Sequence, residues 1–469
     1  MNQDIAQAPD DIEQKLSATL LHRLQSLPAP ADIIVAYSGG MDSHVLLHLC
    51  ARLRTRLPAT ISAVHIHHGL HPDAGLWAKH CANNCRALNI SFTLLHVDAR
   101  PECGQSPEEA ARSARYDAII RRMQTGTVVL TAQHQDDQAE TLLLQLLRGS
   151  GLPGLAAMPD YASLGPGHIA RPLLEHTRAE LERYAKSAGL GWVEDPSNAD
   201  TAYDRNFLRQ RLMPLIRTRW PSASKALSRS ARHCAEAQQL IRHTAHDLYA
   251  TCLDADNAQL CVSRLNRKKT EEQKLVLRHW IELQGQRMPS TAVLDRIINE
   301  VLAAAPDKNP RVPWSSVEIR RYRDKLLLLP QLPPLDHSAT YYWNGTGLIE
   351  LADNGVLMAG INLQLVSTAT PWHDYHFIRA DVWRSGSITV SYRRGGERCS
   401  LRGRGGRHTL KNLFQEAGIA PWLRERIPLI HIDGQLAVVP GIGVTEAFDQ
   451  GRTTDSSFVM IRWLPYDKV

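Results

Sequence analysis

A chain of 469 residues, 43% apolar and 22% charged, is long enough for about three domains and can fill ordinary hydrophobic cores. Its start carries Asp4, Asp10, Asp11 and Glu13 and lacks the basic and apolar stretches of a secretory leader. No apolar run reaches the ~18 residues of a membrane helix, so neither secretion nor a membrane span is expected, and a soluble cytoplasmic protein is. The eight cysteines, Cys50, Cys81, Cys85, Cys103, Cys234, Cys252, Cys261 and Cys399, read as free thiols. Cys81 and Cys85 lie four apart with no second ligand pair, and neither C-x-x-C nor H-E-x-x-H is present. The net charge is +6, and between Val390 and Ile430 alone nine Lys or Arg stand against three Glu. That segment equals the whole excess, which argues for a polyanionic partner there.

In chain order, Ile33–Tyr37 reads as a strand, Ser43–Arg54 as a helix, Thr60–His67 as a strand and Ala78–Leu88 as a helix. Ser91–Val97 and Thr127–Thr131 continue the strands, Pro107–Met123 and Asp136–Leu147 the helices. This alternation predicts the α/β class, a doubly wound parallel sheet forming a nucleotide domain, with ligands at the C-terminal ends of its strands. From Asn206 to Ala250 the pattern turns helical and basic, and Glu271–Gln284 and Ser290–Ala304 add helices of a small helical domain. Proline-rich breaks fall at Ala303–Pro313 and Pro330–Pro334. After about His373, short strands, Gly-rich turns and one helix at Thr409–Glu416 predict a small α+β C-terminal domain. The expected division is 1–222, 223–335, a linker at 336–372, and 373–469.

The sharpest local signal is Ser38-Gly39-Gly40-Met41-Asp42-Ser43, directly after a strand and opening a helix. Two residues without Cβ let backbone N–H groups approach an anion, the helix N-terminus adds partial positive charge, and Ser38 and Ser43 add donors. Asp42 would repel phosphate unless Mg²⁺ bridges the two, so a metal at Asp42 is inferred. The alternative is a tight strand–helix turn with a polar cap. No G-K pair occurs, which excludes a Walker loop. Gly149, Gly151 and Gly154 match G-x-G-x-x-G but follow a helix, and read as its stop.

The run Thr131-Ala-Gln-His-Gln-Asp-Asp-Gln-Ala-Glu-Thr141 leaves a strand and enters a helix. Asp136, Asp137 and Glu140 can share a face suited to Mg²⁺ or a substrate ammonium, or they complement the helix dipole. Arg112 and Arg115 lie about one turn apart, as a solvated face paired to Glu108 or Glu109 or as a stabiliser of charge on phosphate. His65, His67 and His68 close the second strand, where the cluster could contact nucleotide and one or two of them read as packing residues.

The Ser38–Ser43 loop resembles the S-G-G-x-D-S loop of the ATP pyrophosphatase (PP-loop) superfamily, which implies cleavage of ATP to AMP and pyrophosphate. In order along the chain come H-I-H-H-G-L at 65–70, E-E-A-A-R-S-A-R-Y at 108–116, the run from 131 to 151, R-P-L-L at 171–174, W-V-E-D-P-S-N at 192–198 and Y-D-R-N-F-L-R at 203–209. With R-R-G-G-E-R at 393–398, L-K-N-L-F-Q-E at 410–416 and P-W-L-R-E-R-I-P at 421–428, nearly the whole chain resembles the tRNA(Ile)-lysidine synthetases. It departs at His71, where many members of that family carry Arg.

The resemblance implies adenylation by ATP of the C2 oxygen of the wobble cytidine (position 34) in a CAU-anticodon isoleucine tRNA. Attack by the L-lysine ε-amine then gives lysidine and shifts reading from AUG to AUA. It implies ATP and Mg²⁺ at Ser38, Gly39, Gly40, Met41, Asp42 and Ser43, with Asp42, Arg112 and Asp137 catalytic. Asp136, Asp137 and Glu140 would hold lysine or metal. Arg205, Arg209, Arg393, Arg394, Arg398, Arg402, Arg404, Arg407 and Lys411 would bind tRNA. Oligomeric state stays open, a homodimer being one option. A tRNA 2-thiolation enzyme of the same superfamily is the alternative, and it lacks here the paired cysteines that sulfur delivery uses. A non-catalytic RNA binder is a second alternative. A glutamine amidotransferase is disfavoured by Asn2 where a nucleophilic Cys would stand.

Overall fold

The computed structural model describes residues 9–28, 30–57, 59–69, 71–98, 100, 107–254, 259–305, 308–360, 375–449 and 457–465. Two compact units, Met1–Arg242 and His243–Val469, divide the chain. Leu70 and Cys103 fall outside the described residues; the other seven cysteines are free thiols.

In the first unit, β1 (Asp32–Ala36), β2 (Thr60–His67), β3 (Ser91–His96) and β4 (Thr127–Leu130) alternate with α2 (Met41–Arg52), α3 (Ala74–Ala87), α4 (Pro107–Ile120) and α5 (Gln135–Leu147), as the sequence pattern predicts. An unpredicted helix, α1 (Pro9–Gln25), precedes them. After α5 come a one-turn helix α6 (Leu152–Leu155), the hairpin β5 (Tyr161–Leu164) and β6 (Gly167–Ala170), and α7 (Arg178–Ser187). The sheet order is β3-β2-β1-β4-β6-β5, parallel throughout except for the β5–β6 edge. Alternate residues of β1 face opposite sides: Ile33 and Val35 pack with Leu16, Leu20 and Leu24 of α1, Leu46 and Leu49 of α2 and Tyr184 of α7. Ile34 packs with Val64, Ile119, Met123 and Val129. The chain moves from β1 to β2 and β3 on one side and returns to β4 on the other. The strand order therefore reverses between β1 and β4, and the loops after those two strands meet at the switch point where open α/β sheets bind ligands. Gly149, at φ +67 just beyond α5, is the helix stop expected of it.

The unit closes with α8 (Asp204–Phe207), α9 (Met213–Arg219) and α10 (Ala223–Cys252), the last running past the unit boundary. In the second unit α11 (Val262–Leu265), α12 (Thr270–Leu283) and α13 (Thr291–Arg296) accompany an antiparallel sheet. Its strands β7 (Leu260–Cys261), β8 (Arg311–Trp314), β9 (Val317–Tyr322) and β10 (Lys325–Pro330) run in the order β7-β10-β9-β8. Val276, Leu277 and Ile281 of α12 pack there with Val312, Ile319 and Leu326, so the middle segment carries a sheet that the helical pattern did not announce.

The expected linker at 336–372 is corrected across its described part. There β11 (Thr340–Trp343) pairs with the later strand Ile388–Ser391, and β12 (Gly347–Leu351) with β13 (Gly355–Gly360), which pairs with Phe458–Leu464. Trp343, Leu351 and Leu357 enter one core with Trp383, Ile430 and Ile461. Residues 340–360 thus belong to the C-terminal sheets, because their partners arrive only later in the chain.

Candidate active site

The turn after β1 is built for an anion. Gly39 has φ +91, and a Cβ there would lie 2.9 Å from Cys81 Sγ, so both conformation and space require glycine. Gly40 is the N-cap of α2 and supplies no side-chain cap, which leaves the first-turn N–H groups of α2 available. Ser43 Oγ donates to Gly40 O at 2.9 Å and accepts from Ser38 N–H at 3.2 Å, and the Ser38 and Ser43 hydroxyls lie 3.0 Å apart. The backbone of the 192–198 motif pins this loop: Val193 N–H donates to Gly39 O at 3.0 Å. His44 Nδ1 meets Gly191 O at 2.7 Å.

Asp42 points its Oδ1 into a buried position without a hydrogen-bond partner. Burial raises its carboxyl above the ordinary range, against the lowering by His134, Arg178 and Arg209. A buried carboxylate oxygen with nothing to bind is costly and suits a cation. No group of three His, Cys, Asp or Glu able to hold a metal exists among the described residues, so any ion here would draw its other ligands from phosphate and water, the usual habit of Mg²⁺.

Across the switch point, the loop after β4 ends at His134, 1% exposed, which caps α5. Asp137 N–H donates to His134 Nδ1 at 3.4 Å, and His134 N–H donates to Asp137 Oδ2 at 3.1 Å, a reciprocal capping box. Accepting at Nδ1 puts the ring proton on Nε2, which lies 3.7 Å from Asp42 Oδ2 and 3.5 Å from Asp137 Oδ2. His134 thereby joins the phosphate loop to the carboxylate helix. It stands inside the 131–141 run, where no local cue separates it from its neighbours.

The three carboxylates of α5 are brought together, and each is engaged by arginines from the helices after residue 203. Arg209 donates through Nε to Glu140 Oε1 at 2.8 Å and through Nη2 to Glu140 Oε2 at 2.9 Å and Asp137 Oδ1 at 2.8 Å. Burial opposes the Arg209 charge, and Glu140 and Asp137 outweigh it, so its pKa is raised. Arg205 Nη2 donates to Thr141 Oγ1 at 2.8 Å, and its Nε lies 3.4 Å from Glu140 Oε2. Asp136 accepts from Arg217, from Ser224 Oγ at 2.7 Å and from Arg178 N–H at 2.9 Å. Burial alone would raise its carboxyl; those donors, His134 and the Arg217 charge hold it below the ordinary range. Two groups of residues singled out in the sequence meet one another here. Arg205 and Arg209, grouped by sequence with the RNA-binding residues, are pairing partners of the carboxylate helix. Asp136, grouped with lysine or metal ligands, accepts protein donors on both oxygens, as do Asp137 and Glu140.

A cleft of about 430 Å³ opens at the ends of β1 and β2. Ser38, His65, His68, Trp77, Arg115 and Tyr203 are among its walls. Burial, with Arg115 beside it, lowers His68 to about 4, and burial also lowers His65, so both rings are neutral at pH 7. His65 Nδ1 meets Tyr37 O at 2.9 Å. His71 stacks on Trp77 with centroids 4.6 Å apart. Arg115 Nη2 approaches His68 Nε2 at 3.4 Å, and Arg112 lies over the Tyr116 ring, 5.7 Å from its centroid; both side chains are exposed. Of the two α4 arginines it is Arg115 that lines the cleft.

In the second unit the C-terminal cations cluster around the short pair Arg398–Cys399 and His408–Thr409. Arg393 pairs with Glu397 at 3.3 Å, Arg402 with Asp449 at 3.6 Å and Arg404 with Glu416 at 2.5 Å. Arg398 donates to Arg407 O at 3.0 Å. The side chains of Arg394, Arg407 and Lys411 have no such partner among the described residues.

Residues 11–216 match the PP-loop domain family, 260–327 the TilS substrate binding domain and 388–463 the TilS substrate C-terminal domain. The chain is 46% identical over 408 residues to a tRNA(Ile)-lysidine synthase of Methylococcus capsulatus, covering 87% of this chain and 90% of that relative. It is 39% identical to that of Coxiella burnetii, covering 92% and 93%. Among solved structures, a U34-tRNA thiolase from Methanococcus maripaludis is similar over 48% of this chain and 80% of its own, at 15% identity and a TM-score of 0.41. The chain belongs to the tRNA(Ile)-lysidine synthase family.

Proposed function

We propose that this enzyme ligates L-lysine to C2 of the wobble cytidine of a CAU-anticodon isoleucine tRNA, through an adenylated tRNA, with release of AMP and pyrophosphate. The observation that carries the reading is the meeting of an uncapped phosphate loop and an arginine-bound carboxylate helix at one switch point, in a member of this family. The α2 amides and the hydroxyls of Ser38 and Ser43 hold phosphate, and Gly39, Gly40 and Met41 shape the loop. Asp42, with its unpartnered oxygen, fits Mg²⁺, which when bound offsets charge on phosphate. The cleft takes the nucleoside. Arg115 meets charge on the reacting phosphate; Arg112, expected in that role, is the control beside it.

Asp137 and Glu140, whose negative charge Arg209 also draws on, receive the lysine ammonium and accept the proton that the amine loses before attack. Asp136 holds the helices in register. Residues 1–222 form the catalytic domain, 223–335 a substrate-binding domain, and the basic C-terminal domain, starting nearer 336 than 373, grips tRNA phosphates through Arg394, Arg407 and Lys411. Arg393, Arg398, Arg402 and Arg404 support that surface through their pairs. No helix among the described residues is long and apolar enough to cross a membrane, and substrates such as tRNA and ATP place the work in the cytoplasm.

The test is incubation with bulk bacterial tRNA, labelled lysine and α-labelled ATP. Lysine label entering RNA together with AMP release is expected. AMP release without lysine incorporation would transfer the second step to another nucleophile, and RNA binding with neither product would favour a non-catalytic binder.

A further inference from the structure

The first unit carries a second concentration of positive charge that the chain total hides. Between Arg205 and Arg242 stand nine Lys or Arg and one acidic residue, Glu236, a local balance of +8 offset by acids elsewhere. Arg205, Arg209 and Arg217 turn inward to the α5 carboxylates. Arg211, Arg219, Lys225 and Arg229 are exposed, and none has an ion-pair or hydrogen-bond partner among the described residues. Arg232 meets Glu236 only at 3.8 Å, with both side chains more than 60% exposed, too open a pair to neutralise much. Lys225, Arg229 and Arg232 recur at i, i+4 and i+7 and share one face of α10. Trp220, 63% exposed, sits in the elbow between α9 and α10.

Unpaired like charges one turn apart weaken a helix, and an exposed indole forgoes its burial. A ligand with phosphates and stackable rings offsets both: cations follow a nucleic-acid backbone while an aromatic face takes an unpaired base. An anionic membrane fits less well, because the exposed residues between the cations of α10 include Ala226 and Ser230, not the bulky apolar row an interfacial helix inserts. The elbow is also fastened to the site. Arg217 before Trp220 and Ser224 after it both bind Asp136 Oδ1, in the first turn of the carboxylate helix.

We propose that Arg219, Trp220, Lys225 and Arg229 form an RNA-gripping elbow, in which Trp220 stacks on an unpaired base and the cations hold phosphates of the same strand. Asp136 ties that grip to the catalytic helix. This rests on the reading that the substrate is a tRNA. It identifies the gripped part as the anticodon arm, since the elbow belongs to the unit where the wobble base must enter.

The experiment measures binding of the full chain to tRNA and to an isolated anticodon stem-loop across a salt series, for the wild type, the triple variant Arg219→Gln/Lys225→Gln/Arg229→Gln, Trp220→Ala and Trp220→Phe. The triple variant is expected to lose roughly 10- to 100-fold in affinity and to lower the salt slope by about two, at ~0.7 per phosphate contact on single strands. Trp220→Ala should lose about 10-fold on the stem-loop, and Trp220→Phe should recover most of it. ATP binding should not change. Unchanged affinity and slope in the triple variant would overturn the grip, and Phe as deficient as Ala would overturn the stacking. Loss of binding to phosphatidylserine vesicles with tRNA binding intact would reassign the patch to lipid. Should Trp220→Ala fail to fold, the exposed Gln triple still decides. Lysine incorporation by the wild type is scored separately, so failure of the catalytic reading is distinguishable from failure of the elbow.

Discussion

Asp42 shows how much of the chemistry resides in single side chains and their surroundings. Its carboxyl is raised by burial, so folding favours its neutral form. The resulting stability is fully present below the ordinary value of 3.8 and is lost as pH rises through the folded value, which means that ionised Asp42 is a cost at pH 7. Asp42→Asn is therefore expected to abolish AMP release yet to melt at a higher temperature than wild type in Mg²⁺-free buffer at pH 7. An unchanged or lower melting temperature would contradict the buried, unpartnered oxygen. The α4 arginines give a second prediction at this scale. Arg115→Ala should lower kcat/KM roughly 100- to 1,000-fold, as loss of a donor to developing charge does, and Arg112→Ala at least about 10-fold less; equal losses would return Arg112 to the site. Sequence located both arginines and favoured Arg112, because local spacing does not show which of two neighbours on one face of α4 reaches the cleft.

At the scale of elements, caps and ion pairs decide where helices begin and what they meet. Thr177 and Glu180 form a capping box at the start of α7, with Thr177 N–H donating to Glu180 Oε2 at 2.8 Å and Glu180 N–H to Thr177 Oγ1 at 3.2 Å. Lys15 of α1 reaches Glu180 Oε1 at 2.5 Å, joining α1, which sequence periodicity left unannounced, to the rest of the unit. Thr177→Ala should cost about 1 kcal/mol in denaturant unfolding. Burial would raise the Glu180 carboxyl, but Lys15 and Thr177 hold it below its ordinary 4.5. That stability is present above 4.5 and is lost as pH falls through the folded value. Glu180→Gln should accordingly narrow the gap to wild type in acid, and a gap independent of pH would remove Glu180 from that role. The S-G-G-M-D-S turn and the carboxylate run were legible because each lies within one strand–helix junction. Arg209 was not legible as their partner, since 69 residues separate it from Glu140 and its local pattern is that of any basic helix.

For the whole chain, the strand pairing of residues 340–360 changes where it can be cut. Truncation after about residue 370 leaves β11 and β13 without Ile388–Ser391 and Phe458–Leu464, two bare edges prone to aggregation. Truncation after residue 335 removes them whole and keeps the core of Val276, Leu277 and Ile319. The shorter chain should melt cooperatively and bind ATP, and its tRNA affinity should fall with a smaller salt slope. The chain cut at 370 should aggregate. The reverse order of behaviour, or full tRNA affinity in the shorter chain, would contradict the C-terminal role.

Periodicity, glycine placement and ordered motifs by themselves determined the α/β sheet, the phosphate loop, the carboxylate helix and the family, because all of these are written in short-range pattern. Tertiary structure alone decided that Asp136 meets Arg217 and Ser224, that Arg205 and Arg209 face carboxylates, that Arg115 lines the cleft and that strands occupy much of residues 340–360. Each of those outcomes depends on partners remote in sequence, and ion pairs and strand ladders leave no trace in the local spacing of either partner.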